Sequence, residues 1–226
     1  MPDIAIPIVF PDYLIAVDTP KTTFKVPDLI PGFDILPDKV VIPESKNKVP
    51  DLGHAGILFI NGSTGTTKYY EYGRYASSFG NVRKLTIRDV KVTRDGHPTR
   101  LTLAYTLSQI AAKSGKGGRI SGAYIEVPGQ FQAMLTYCKK RLSDRSTPYS
   151  IWTNSCNHFM QGALKAAGVK VPGMIDPRPN SYIEEIRYDH NDLDYDYKTN
   201  TLKVENPPPS LASLFSRKFN QPAALA

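Results

Sequence analysis

Asn154-Ser155-Cys156-Asn157-His158-Phe159-Met160 is the stretch whose reading decides the fold. It lies between a short apolar run ending at Trp152 and the helical pattern Phe159, Met160, Ala163, Leu164, Ala167. Thr153, Asn154 and Ser155 are all good helix N-cap residues, so Cys156 falls in the first turn of a helix. Unsatisfied backbone N–H groups and the positive end of the helix dipole converge there. A thiolate is stabilised in that position, and the sulfur becomes nucleophilic. The plain alternative is a small buried cysteine on an apolar helix face, which is where free cysteines commonly sit.

Composition narrows the class. The chain has 226 residues and 41% hydrophobic content, enough for one large domain with a real core. It contains no run of about 18 apolar residues that could span a membrane. No charged segment followed by an apolar one opens it, so no secretory signal peptide is expected. Two cysteines cannot make a disulfide framework for a chain of this length. Cys138 shares a helical face with Phe131, Met134, Leu135 and Leu142 and is expected in the core, which leaves Cys156 as the candidate nucleophile. A net charge of +7 suits an anionic polymer: nucleic acid, cell wall or anionic lipid. No nucleic-acid motif accompanies the charge.

Residues 1–50 carry nine of the 19 prolines. Ile4 to Val9 and Tyr13 to Val17 can be short strands, but proline at that density excludes regular helix and central strand. Residues 1–52 are therefore expected to form an extended arm packed on the domain. Gly53 to Ile60 is a buried strand, and Lys68 to Tyr75 alternates as its hairpin partner across the Asn61–Gly65 loop. Val82 to Val92 is expected as a further strand. Thr99 caps a helix from Arg100 to Lys113, with Leu103, Leu107 and Ile110 on one side. Ser114 to Arg119 is a basic connector that lacks the phosphate-loop pattern. A strand over Ile120–Val127 and a helix over Gly129–Leu142 follow. The Cys156 helix ends at Gly168. A short helix over Ser181–Arg187, an acidic hairpin edge over Asp189–Asp196 and a strand over Lys198–Val204 complete a domain of residues 53–205. The acidic run has Asp194 and Asn200 where a calcium loop needs Gly and Glu. Residues 206–226 form a proline-led tail with a short amphipathic pattern at Leu211, Leu214, Phe215 and Phe219.

A cysteine nucleophile needs a base, and histidine is the usual one. His158 is two residues from Cys156 on the same helix, so the side chains point about 200° apart. His97 and His190 lie in turn-like sequence. His54 opens a buried strand beside the small residues Gly53, Ala55 and Gly56, which leave room for a neighbour. A histidine at the mouth of a core sheet, facing a helix that begins with cysteine, is the papain-type arrangement.

At these residues the chain resembles known families. Ser155 to Phe159 is similar to the Asn-Cys-Glu-His-Phe motif of the lecithin retinol acyltransferase group, and Gly53-His54-Ala55-Gly56 resembles that group's histidine strand. That group has a circularly permuted NlpC/P60 fold in which histidine precedes cysteine, as here. The opening Ile8 to Ile15, the Gly53–Ile60 strand and Tyr70 to Tyr75 resemble cysteine-peptidase effectors of the bacterial type VI secretion system, over most of residues 4–170. The resemblance implies an α+β, permuted NlpC/P60 papain-like domain with an antiparallel sheet packed against helices. It implies a third polar residue on the strand after His54 that orients the imidazole. Counting through the hairpin puts residues 71–74 opposite His54, and Glu71 is the best polar candidate there. The family more often has His, Asn or Gln at that place, and Asp34, Asp38 and Asp51 are rivals.

The resemblance thus implies a cysteine peptidase or amidase, with Cys156, His54 and Glu71 as catalytic residues and no metal or cofactor. Its expected substrate is the peptide part of peptidoglycan, with the Cys156 backbone N–H holding the oxyanion. A cognate immunity protein and a secretion-machinery carrier are the implied partners. Such a protein is made in the bacterial cytoplasm, leaves without a signal peptide, and acts as an antibacterial toxin in the target-cell periplasm. The Cys motif alone also allows a lipid-acting thiol acyltransferase or phospholipase, and charge alone allows a non-catalytic binding module.

Overall fold

The computed structural model describes residues 1–16, 22–25, 39–42, 48–49, 53–75, 80–144 and 147–205. In chain order the strands and helices are β1 (Ile4–Phe10), β2 (Ile15–Ala16), β3 (Thr22–Lys25), β4 (Lys39–Ile42), β5 (Lys48–Val49), β6 (His54–Ile60), β7 (Thr67–Gly73), β8 (Asn81–Leu85), α1 (Arg100–Lys113), β9 (Ile120–Glu126), α2 (Phe131–Ser143), α3 (Cys156–Ala166), α4 (Pro179–Arg187), β10 (Asn191–Asp196) and β11 (Thr201–Glu205). Seven strands make one antiparallel sheet in the order β11-β10-β9-β1-β6-β7-β8. The protein is α+β, as expected.

The period of two along each strand divides the core between the two faces of the sheet. Ala55, Ile57, Phe59, Tyr70 and Tyr72 point to one face and pack with Met134 of α2, Phe159 and Met160 of α3 and Ile183 of α4. Ile6, Ile8, Phe10, Leu58, Ile60 and Tyr69 point to the other and pack on Leu103, Leu107 and Ile110 of α1. Both faces are covered, so β1, and β6 beyond His54, are apolar and buried along their length.

The expected arm needs correction. Ile4–Phe10 is the central strand of the sheet, paired with β6 along its whole length and with β9 on its other side. The folded unit therefore includes residues 4–10 and does not begin at residue 53. Pro7 is accommodated because the ladder to β9 runs through Ile4, Ala5, Ile8 and Val9 and skips Ile6 and Pro7. The missing N–H is thus placed where no ladder bond is made. The other described strands of 1–52 make two small antiparallel pairs, β2 with β5 and β3 with β4. The other apolar pieces of that region, Asp34, Asp38 and Asp51, and the tail 206–226 lie outside the described residues.

Two further expectations change. The Val82–Val92 strand stops at Leu85, and the chain then drops beneath the Asn61–Gly65 loop, where the Val90 N–H donates to the Gly65 carbonyl at 3.1 Å. The acidic run is no edge: β10 lies between β9 and β11. Leu193 and Tyr195 are buried, while Asp192 and Asp194 alternate to the other side and pair with Arg187 at 3.1 and 2.7 Å. The period of two buries the apolar half of an acidic strand, and Arg187 bridges two of its three aspartates.

Candidate active site

Cys156 is the first residue of α3. Ser155 precedes it in extended conformation and caps the helix together with His158: the Ser155 N–H donates to His158 Nδ1 at 3.3 Å, and Ser155 Oγ lies 2.9 Å from the same nitrogen. Burial lowers the His158 pKa, which keeps Nδ1 free to accept. His158 thus belongs to the helix cap, on a different side of α3 from the thiol. The segment before the cap is pinned from the sheet: Asn154 Nδ2 donates to the Tyr72 hydroxyl at 2.6 Å and to the Pro148 carbonyl at 2.9 Å, while Arg141 donates to Asn154 Oδ1 at 2.7 Å.

His54 opens β6 opposite Phe10. The β6–β7 ladder begins two residues further in, at Gly56–Glu71. The Ala55 N–H is thereby free to donate to the Cys156 sulfur, as does the Asn157 N–H. The His54 ring is hydrogen-bonded to Cys156 as well. Its Nε2 lies 3.3 Å from Glu71 Oε2 and 3.4 Å from the Tyr75 hydroxyl, so Nδ1 is the nitrogen left for the thiol. The ring is wedged between Phe10, at 6.2 Å between centroids, and Tyr13, at 5.3 Å.

Glu71 is fully buried, and every oxygen has a neighbour. The Tyr69 hydroxyl donates to Oε2 at 2.9 Å. Arg83 Nε lies 2.6 Å from Oε1, but off the line of a good hydrogen bond, so charge rather than alignment holds that pair. Arg83 itself is fixed by donating to the Lys113 carbonyl and to Ser114 Oγ at the end of α1, at 3.1 and 2.9 Å. Gly56 makes this possible: a Cβ there would lie 2.3 Å from the Tyr69 hydroxyl. The space beside the small residues of β6 is filled by a tyrosine that reaches Glu71.

The charges follow from these contacts. Burial raises the Glu71 pKa, but the His54 hydrogen bond, the His54 charge and Arg83 outweigh it and hold the carboxyl at about 2. Burial lowers that of His54, but the hydrogen bonds and charges of Cys156 and Glu71 raise it to about 9. Burial disfavours the Cys156 thiolate, yet the His54 hydrogen bond and charge and the two backbone N–H groups leave its pKa below the ordinary thiol value. Each of these shifts favours the charged form: the thiolate at Cys156, the imidazolium at His54 and the carboxylate at Glu71. The Tyr149 hydroxyl is bonded to the Cys156 sulfur and accepts from the Cys156 backbone N–H, while its ring stacks on Tyr72 at 5.8 Å.

All three residues expected from sequence meet at one end of the sheet. Tyr13, Tyr69, Tyr75, Arg83, Ser114 and Tyr149 also belong to the site. Of these the sequence offered a signal only for Tyr69, which the alternation of β7 places on one face with Glu71.

An antiparallel α+β domain with a thiol at a helix start, against a buried imidazole and carboxylate, is the class that this fold and site define. Residues 5–170 match the family described as type VI secretion system effector TseH-like, and the chain belongs to that family. It is similar to the crystal structure of the type VI secretion system effector TseH, with 33% sequence identity and a TM-score of 0.71 over 91% of this chain and 98% of that one. No curated protein matches the chain at a significant level. The matched span contains β1 from Ala5 onward, His54, Glu71 and Cys156, and ends before α4. Among the described residues no helix is long and apolar enough to cross a membrane.

Proposed function

We propose that the protein is a cysteine peptidase or amidase that hydrolyses amide bonds in the peptide part of peptidoglycan, on a permuted NlpC/P60 papain-like fold. The observation that carries this reading is His54 held between two partners, with Nε2 on the buried Glu71 and the other nitrogen left for Cys156. The Cys156 thiolate attacks the amide carbonyl carbon. The carbonyl oxygen, now negative, takes the Cys156 backbone N–H in place of the Tyr149 hydroxyl. The His54 imidazolium gives its proton to the leaving amine as the C–N bond breaks. A water molecule then attacks the thioester, loses its proton to His54 and releases the free acid and the thiol. Glu71 fixes the ring and stabilises its charged form.

Membership of the effector family supports delivery to another cell by the type VI machine, with the target-cell periplasm as the place of action. A cognate immunity protein and a carrier of the secretion machine are the partners this requires. The net charge of +7 favours an anionic wall polymer.

The test is incubation of the full chain, and of its Cys156→Ala variant, with purified muropeptides and with phospholipid vesicles. Mass spectrometry should show new amino and carboxyl termini in the muropeptides from the parent protein alone. Cleavage or acyl transfer on the phospholipids, with intact muropeptides, would replace this reading by the lipid-acting alternative.

A further inference from the structure

Away from the thiol, a second concavity opens between α1 and the turn joining β10 to β11. It has a volume of about 330 Å³ and is lined by Leu101, Tyr105, Ser108, Tyr195, Tyr197 and Asn200. Leu101 is 81% exposed, Tyr105 46% and Tyr197 39%, so these side chains are not core. One exposed apolar residue is ordinary; three around a single cleft mark a binding surface. Beneath them the buried Tyr195 donates its hydroxyl to Asn200 Oδ1 at 2.8 Å. Arg88 holds the Tyr105 ring from one side, with its guanidinium 5.4 Å from the ring centroid.

The cleft is at the same end of the sheet as the thiol. His54 is level with Phe10, Val9 with Ser121 and Ile120 with Tyr195. Three strand spacings of about 4.8 Å separate β6 from β10, a distance that about four residues of extended peptide span. The surface between is continuous. The Tyr13 ring lies on His54, Lys116 Nζ lies 4.5 Å above Tyr13, and a Cβ on Gly117 would come within 3.2 Å of the Tyr197 ring. Lys116 and Gly117 both have positive φ, 54° and 73°, which turns this connector flat against the two tyrosines.

We propose that this cleft binds the saccharide strand of the wall polymer, while a peptide stem runs over Tyr13 and Lys116 to Cys156. The inference rests on the function proposed above. Tyrosine rings offer flat faces to the apolar C–H faces of sugars, and the Asn200 carboxamide and tyrosine hydroxyls bond sugar hydroxyls. No cluster of like charge lines the cleft, which suits a neutral ring better than an ion.

The test uses the full chain carrying Cys156→Ala and glycan strands whose peptide stems have been removed, with binding read by co-sedimentation. The parent should bind. Tyr105→Ala with Tyr197→Ala should weaken binding about ten-fold or more, whereas Tyr197→Phe should retain it. Leu101→Glu, at a side chain that the fold does not need, should cause a loss of the same kind and covers the case of a misfolded double variant. Undiminished binding by the alanine pair, or binding only to strands that keep their stems, overturns the proposal. Because the assay needs no hydrolysis, glycan that is bound but never cut would count against the proposed activity and not against this cleft.

Discussion

Cys138 and Cys156 belong to the same core cluster and are almost equally hidden, at 0% and 2% exposure. Their thiols are nevertheless pushed in opposite directions. Burial alone acts on Cys138, in the middle of α2, and drives its pKa far above the ordinary value. Cys156 suffers the same burial, but His54 and the N–H groups of Ala55 and Asn157 surround its sulfur and bring its pKa down. A buried cysteine is inert or reactive according to the polar groups that reach its sulfur: the helix start supplies the Asn157 N–H, and the opening of β6 supplies His54 and the Ala55 N–H.

The largest test of that contrast is loss of activity. Cys156→Ala and His54→Ala should each lower muropeptide turnover at least about 1000-fold, and the double variant should be no worse, because the pair acts as a unit. Turnover is followed by chromatography, and near-parental rates for Cys156→Ala would leave the two cysteines equivalent. Next is alkylation. Iodoacetamide at neutral pH should label Cys156 on the order of 100-fold faster than Cys138 in the folded protein, as read from peptide masses. Equal labelling would erase the contrast.

Glu71→Gln should sharpen it. His54 is held up to about 9, so activity that needs its proton persists below that pH and falls as pH rises through it. Without the Glu71 charge the alkaline limb should move down by about one pH unit. The same substitution tests stability on the acid side. Glu71 lies at about 2 against 4.5 for an ordinary glutamate, so its contribution is complete above 4.5 and is lost as pH falls toward 2. That contribution is about 3 kcal/mol, and melting curves of the variant should lack it. The smallest effect is at the inert thiol: Cys138→Ser should cost about 1–3 kcal/mol of stability through a buried hydroxyl, while turnover per folded molecule stays at the parental value. A pH-dependent gain or loss of turnover in Cys138→Ser would show that the second thiol is not inert.

Much of the architecture was legible because local rules decided it. Thr99 and the Leu103–Leu107–Ile110 stripe mark α1 to the residue, and the Ser155 cap with Phe159, Met160 and Ala163 marks α3. Hairpin counting put Glu71 near His54, and the register pairs it with Gly56. What was missed depends on distant partners. Pro7 argued against a central strand, but a proline fits where a ladder skips a pair, and no local pattern reveals that gap. Arg83 and Ser114 reach Glu71 from an edge strand and from the end of α1, and nothing in their own neighbourhoods points there. His158 looked idle because only its angle to Cys156 was considered; as the third residue of α3 it faces back to Ser155.

The position of β1 also bears on how the molecule comes into being. β1 is made before either of its partners: it is held by Ile60 and its neighbours on one side and by Glu126 and its neighbours on the other. The centre of the sheet therefore cannot close until β9 has been synthesised, and contacts so distant in sequence slow folding. Throughout that wait the apolar segment Ile4–Phe10 is exposed, a template for cross-strand aggregation between nascent chains. Pro7 sits at its midpoint, where it interrupts any stacked ladder that such chains could build. The residue that leaves a gap in the native sheet guards the newborn chain before there is a sheet.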